Sequence, residues 1–371
     1  MAVKDFYLEI STQFNKELPF VAYRKPDESK IQAFLQKDDV LYKTFDYSES
    51  GFVFAPFDIR KSSILIPFSK SRKVTTYEVP FVNTSAESVL DSESQEETHV
   101  NLVSKGIKAI QDGSYEKIVL SRSETINLRD FDLIKVFSSL LKLYDNALVY
   151  CWYHPKVGLW LGATPETLLS TNGTRFSTMA LAGTQVYNGT TDVKWNDKEI
   201  EEQQIVTDYL SEALKDISEM VSFSEVKTTR AGNLLHLKTD VSGLLTQKEK
   251  GLQKLILALH PTPAVCGLPK LDAMQFILDN EQYNREFYTG FLGELNLEAK
   301  IQPRSGARNI ENRAYAFNSR NTHLFVNLRC MQVQEKKALV YVGGGITKDS
   351  VPEHEYQETI NKTRTMKNVL N

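Results

Sequence analysis

Strand-type and helix-type stretches occur in blocks along this chain, and that arrangement constrains its fold more than any other feature. Short runs rich in β-branched and aromatic residues come early, as GFVFAPF (51–57) and SSILIPF (62–68). KIVLSRSETI (117–126) reads as a strand, ALVYCWYH (147–154) and VGLWLGATPE (157–166) as consecutive strands, and TRFSTMALAGTQ (174–185) as another. LLHLKTDVSGLL (234–245) and KALVYVGGGIT (337–347) complete the set, the second as a strand ending in glycines. Helical spacing of apolar residues predicts a helix over HVNLVSKGIKAIQDG with a stop at Gly113. A longer helix is expected from about Asp197 to Val221, with Ile205, Leu210, Leu214 and Ile217 on its apolar face, and a last one from Pro352 to Leu370. Strict βα alternation is missing, so an α+β fold is expected rather than a doubly wound parallel sheet. Two polar stretches interrupt the pattern. Residues 84–97, polar, acidic and Ser-rich, read as a linker, and Glu298–His323, rich in Asn and Arg, as a surface excursion between two β-type segments.

A formal charge of −3 without a long basic tract gives nucleic-acid binding no support. No stretch approaches the roughly 20 apolar residues that span a bilayer. The first residues, MAVKDFYLEISTQF, lack the apolar run of a signal peptide. Three cysteines in apolar contexts, Cys151, Cys266 and Cys330, are poor material for a disulfide framework and suit a reducing compartment. A soluble cytoplasmic protein is expected.

Two acidic pairs are candidates for chemistry. KEIEEQQ places Glu199 and Glu202 three residues apart, and PEHEYQETINK does the same for Glu355 and Glu358, with Lys362 four residues beyond. That spacing puts each pair on one helix face. Either pair alone reads as a solvated acidic first turn suited to the helix dipole. Facing each other, the two would make an oxygen-rich pocket for a hard cation, magnesium fitting best. The glycines of VYVGGGI would let backbone N–H groups approach an anion, although glycine triplets also occur in plain turns. Glu166, in LGATPETLLS, has small and apolar neighbours, so desolvation would raise its pKa into the range of a useful acid. Lys117 leads into a β run, which usually means an edge charge; pointing inward near a cation, it would become a usable base. LHPTPAVCGLPK, with three prolines, reads as a rigid loop. His236 and His260 read by themselves as satisfied core or surface histidines.

Taken in order, KIVLSR, GATPETLL, ALAGT, KEIEEQ, HLKTDVSG, LHPTPAVCGLPK, REFYTGFLGEL, VNLRCMQV, VGGGI and PEHEYQETINK resemble the chorismate-utilising enzymes. The likeness runs from about Lys117 to Lys367. It implies one chorismate-binding α+β domain over 1–371, with a variable part to residue 97 and a catalytic part from 98. Its fold would be two large antiparallel sheets packed face to face with helices outside. It further implies Lys117 as the base that activates water and Glu166 as the acid for the departing hydroxyl. Glu202 and Glu358 would bind magnesium directly, Glu199 and Glu355 through water. Gly183 and Thr184 would line the ring, with Ala264 in the same wall. Tyr288, Arg329, Gly345 and Lys362 would hold the enolpyruvyl carboxylate, and His236 would orient the reacting groups. Ala182 stands where aminodeoxychorismate synthases carry a nucleophilic lysine. Ala264 stands where aminating enzymes and salicylate synthases usually carry threonine. The isochorismate synthase branch is therefore expected, as a magnesium-dependent monomeric isomerase of chorismate. A salicylate synthase and a catalytically silent binder of an anionic metabolite are the alternatives. Two positions depart from the family pattern: the 298–323 insert is long, and Gln203 replaces a common histidine.

Overall fold

The computed structural model describes residues 3–80, 95–232, 234–246, 251–299 and 319–370. Helix α1 (Val3–Asn15) precedes strands β1 (Phe20–Arg24), β2 (Ile31–Gln36), β3 (Tyr42–Thr44), β4 (Gly51–Ala55), β5 (Ser63–Pro67) and β6 (Ser71–Thr76). Then come α2 (Glu96–Gln111), β7 (Lys117–Asn127), α3 (Leu133–Leu143), β8 (Leu148–His154), β9 (Gly158–Thr164), β10 (Thr167–Asn172) and β11 (Arg175–Val186). They are followed by α4 (Asp197–Leu214), β12 (Ser218–Phe223), β13 (Lys227–Ala231), β14 (Leu234–Leu245), α5 (Gly251–Leu259), β15 (Gly267–Leu268) and α6 (Lys270–Asn280). The chain closes with β16 (Phe291–Ala299), β17 (Ser319–Val326), β18 (Cys330–Gln334), β19 (Lys337–Ile346) and α7 (Pro352–Leu370).

These strands form two antiparallel sheets. One runs β15-β7-β19-β18-β9-β8-β1-β2-β6 and the other β12-β14-β11-β10-β17-β16-β4-β5-β3, with β13 also on β14. Strands from the first eighty residues enter both sheets. The expected α+β architecture of two facing sheets with helices outside is what the chain adopts. Between the sheets lies an aromatic core that includes Phe52, Phe54, Trp152, Trp160 and Phe287. Phe54 stacks on Phe287 at 4.3 Å between ring centroids, a geometry that adds to the area both rings bury. Helices α1 and α3 cover the outer face of the first sheet, and α4 and α5 that of the second. A central strand such as β8, LVYCWYH, is thus buried on both faces, which is why its sequence reads as a nearly continuous apolar run.

Three expectations need correction. The long helix stops at Leu214, and residues 218–223 are strand β12, not helix. Its buried face is Gln203, Val206, Leu210 and Leu214, spaced three, four and four, so Ile205 lies to the side. Gln203 is a structural tie, its amide donating to Ala180 O and Thr239 Oγ1 on the sheet below. The three glycines lie inside β19, not after it, with Gly343, Gly344 and Gly345 opposite Ser121, Leu120 and Val119. The ends of the 298–323 stretch belong to β16 and β17, and residues 300–318 between them are outside the described residues, as are residues 84–94 of the expected linker. The final helix has the expected bounds. Among the described residues no helix is long and apolar enough to cross a membrane. All three cysteines are buried and free.

Candidate active site

A cavity of about 720 Å³, counting its mouth, opens between the sheets and takes walls from both. Strand β11 contributes Gly183 and Thr184, β14 His236, and β19 its three glycines. Helix α4 brings Glu202 to it, and α7 brings Glu358 and Lys362. Glu166, Ala264, Tyr288 and Arg329 reach it from connecting segments. Eleven of the fourteen residues singled out in the sequence thus line one cavity. Lys117, Glu199 and Glu355 stand behind that wall.

The helices arrive where they do because their ends are specified locally. Asn196 caps α4, and Glu199 Oε2 accepts from the Asn196 backbone N–H at 3.1 Å to close a capping box. Glu199 therefore holds the start of its own helix, and Glu202, one turn on, faces inward. On the other side Lys362 Nζ donates to Gly343 O at 2.8 Å, which docks α7 onto β19.

Lys117 is completely buried, and its ammonium donates to Glu202 Oε1 at 2.8 Å. The edge-charge reading is therefore wrong. Burial opposes ionisation of Glu202, but the charge and hydrogen bond of Lys117, aided by Lys198 and Lys362, outweigh it and hold the carboxyl below its ordinary value. Lys362 pairs with Glu358 at 2.6 Å, and Lys198 pairs with Glu355. Lys198 was not singled out in the sequence, although it sits one turn before Glu202 on the same helix. Glu355 is 2% exposed; burial first, then the nearby Glu358, raise its pKa against the pull of Lys198.

Glycine at 345 is required by close approach. A Cβ on Gly345 would run into Glu202 Oε1 and stand 2.9 Å from Lys117 Cε. One on Gly344 would stand 3.5 Å from Glu355 Oε2 and 3.7 Å from Glu358 Oε1. Carboxylates from two helices thus converge over the bare backbone of β19. The Glu355 Oε2 atom is buried without a hydrogen-bond partner. Among the described residues no three acidic, histidine or cysteine side chains are already gathered as a metal site, since lysines neutralise the acids. An all-oxygen donor set with one orphaned buried oxygen fits a hard divalent cation that displaces those ammonium groups.

Glu166 is 4% exposed, and desolvation pushes its carboxyl up to about 8 against the opposing charges of Lys117 and Arg329. It remains a protonated acid at neutral pH. His236 Nδ1 lies 2.8 Å from Gly183 O. A carbonyl only accepts, so Nδ1 carries the proton and Nε2 is left as acceptor for Arg329 Nη2 at 3.4 Å. Burial first, then the Arg329 charge, lower the His236 pKa to about 3, so the ring is neutral. The Arg329 guanidinium also donates to Thr365 Oγ1 of α7 at 3.3 Å. Burial raises the Tyr288 hydroxyl far above its ordinary value and keeps it a donor. The cavity therefore combines one neutral acid, cationic groups and an acidic floor, with Val119, Val265 and Leu328 as apolar walls. Those wall residues were invisible in the sequence because nothing distinguishes them there from core.

Comparison with known proteins decides the family. The chorismate binding enzyme profile matches residues 64–305, well over half of the chain, and a second profile of the same description matches 314–368. The chain belongs to the chorismate-binding enzyme family. Isochorismate synthase DhbC of Bacillus subtilis is 29% identical over 289 residues, covering 73% of this chain and 67% of that protein. Anthranilate synthase component 1 of Lactococcus lactis is 27% identical over 286 residues, 74% of this chain and 57% of the relative. The crystal structure of the isochorismate synthase DhbC from Bacillus anthracis superposes with a TM-score of 0.76 at 24% identity, over 97% of this chain and 98% of that one. That likeness establishes the shared fold. The presence of both kinds of relative leaves the branch to be argued from the cavity.

Proposed function

We propose that this chorismate-binding enzyme is an isochorismate synthase, a magnesium-dependent isomerase working as one domain. The observation that carries the branch is that Ala182 and Ala264 both line the cavity. Neither methyl group can act as an amine nucleophile or orient one through a hydroxyl. What remains is a protonated carboxyl, a buried lysine and a cationic carboxylate clamp, the parts for exchanging water and hydroxide on a ring.

Chorismate carries two carboxylates. Arg329, Lys362 and Tyr288 donate to the enolpyruvyl carboxylate beside the Gly345 backbone, as charge-assisted hydrogen bonds to an anion require. Neutral His236, fixed by Gly183 O, directs the Arg329 guanidinium. Gly183 and Thr184 line the ring. Glu202 and Glu358 would hold magnesium directly, with Glu199 and Glu355 through water; bound there, the ion would neutralise the ring carboxylate. Acting as the free amine and not as the ammonium that pairs with Glu202, Lys117 takes a proton from the incoming water as its oxygen bonds to one ring carbon. The ring double bonds shift, the bond from a second carbon to its hydroxyl breaks, and Glu166 supplies the proton with which that group departs as water. Each proton transfer contributes on the order of 10²–10⁴-fold. Bonds made and broken are alike in kind, so the reaction runs in both directions. Three buried free thiols suit a reducing compartment, which supports a cytoplasmic protein, taken to be a monomer.

The test is product analysis. Purified protein with chorismate and magnesium is expected to give a chorismate–isochorismate mixture by NMR, from either direction and unaltered by ammonium salts. Stoichiometric pyruvate in a lactate dehydrogenase assay, with salicylate or anthranilate on the NMR trace, would overturn the isochorismate reading in favour of another branch.

A further inference from the structure

Arg285 lies just outside the cavity and is almost fully buried; of the groups proposed for the chemistry it meets Tyr288, with its guanidinium 5.8 Å from that ring's centroid and its carbonyl accepting from the Tyr288 N–H at 2.8 Å. All five of its N–H donors are used. Nε and Nη2 donate to Glu281 at 2.8 and 2.5 Å. Nη2 also reaches Val119 O at 2.7 Å, and Nη1 reaches Val265 O and Thr289 Oγ1, both at 3.1 Å. Val119, Val265 and Thr289 each line the cavity, and they come from three separate segments: β7, the proline-rich loop and the turn before β16. Glu281 neutralises the guanidinium and accepts from Ser121 N–H and Oγ at 2.8 and 2.7 Å, binding the pair to β7 a second time.

A buried ion pair is a weak source of stability compared with well-packed apolar residues. What this one supplies is geometry, because a planar fork fixes the directions of its acceptors. We propose that Arg285 is a positioning residue that sets the spacing of three cavity walls, and with it the fit of the substrate ring, through Val119, Val265 and Thr289. The loop it holds also carries Ala264, so the wall that distinguishes the branches is placed by the same guanidinium. Lysine offers three donors from one point and cannot reproduce the fork.

This inference rests on reading the cavity as a chorismate site, and two measurements keep the readings separate. In Arg285→Lys, hydrogen–deuterium exchange should quicken together in peptides spanning 117–121, 262–268 and 287–290, with α1 and α3 unchanged. The KM for chorismate should rise about tenfold with kcat within about threefold, since the walls meet substrate in ground and transition states alike. Glu281→Gln, which keeps the shape and removes the charge, should shift both readouts the same way to a smaller extent, and it serves if Arg285→Lys fails to fold. Exchange that rises uniformly along the chain, or kcat falling with the folded fraction at constant KM, would show a merely structural arginine and overturn the proposal. If the wild type leaves chorismate unchanged, the functional reading fails, while the exchange result still decides whether Arg285 holds the three walls.

Discussion

Replacing Glu166 with glutamine should make the protein more stable and inactive, and the size of the gain should depend on pH. The folded-state carboxyl titrates at about 8 because burial disfavours its charge, whereas its ordinary value is 4.5. Below pH 4.5 both folded and unfolded states hold the proton, and the group costs nothing. Between 4.5 and 8 the unfolded chain ionises while the folded one does not, so stability is lost as pH rises through that window. Above 8 the full difference applies. At about 1.4 kcal/mol per pH unit it is roughly 1 kcal/mol at pH 5, about 3 at pH 7 and about 5 at pH 9. Glutamine keeps the shape and cannot ionise, so Glu166→Gln should gain about those amounts. Its kcat should fall at least ~10²-fold for want of the acid. Urea unfolding followed by circular dichroism at the three pH values measures the first effect, and chorismate turnover the second. In the wild type, kcat/KM should decline above about pH 8 as the acid loses its proton. A stability difference that stays flat from pH 5 to pH 9 would refute the claim that Glu166 is held protonated by burial.

Lys117→Ala should lower kcat at least ~10²-fold with the fold retained, and near-normal turnover by a folded variant would remove Lys117 from the base role. Chelation should abolish activity reversibly, and Glu358→Gln should weaken magnesium and chorismate binding together in calorimetric titrations; full activity after chelation would sink the metal assignment. Gly345→Ala should displace Glu202 from Lys117, because the added Cβ would meet both. Its expected signature is weakened metal binding with little change in melting temperature, and unaltered metal affinity would count against the convergence of Glu202 on that backbone.

Much of this was legible in the residues alone. The final helix follows from its periodicity with the expected bounds, and Glu355, Glu358 and Lys362 share a face because helical geometry leaves no choice at spacings of three and four. The absence of βα alternation pointed to α+β because parallel sheets need crossovers that this chain does not encode. The order of motifs identified the family because it samples strands and helices that meet at one place. Local pattern also had definite failures. It ran the long helix seven residues too far, because Ile217 and Val221 continue a helical spacing while the backbone turns to pair with β14. It placed the glycines after a strand, since glycine disfavours sheet, whereas here they lie within it and the Glu202 carboxylate presses on the strand at Gly345, where no side chain fits.

Tertiary structure alone decided the electrostatics. Whether Lys117 is an edge charge or a buried one depends on Glu202, 85 residues away in the chain. The proton on Glu166 depends on how much protein covers it, and the tautomer of His236 on a carbonyl 53 residues distant. Arg285 opens the REFYTGFLGEL motif, but its role was not legible there, because that role lies in acceptors supplied by segments up to 166 residues away. Periodicity and motif order report what a residue is and which face it shares with near neighbours. Desolvation and ion pairing depend on the dielectric and the partners around a group, and those exist only once the two sheets have closed over it.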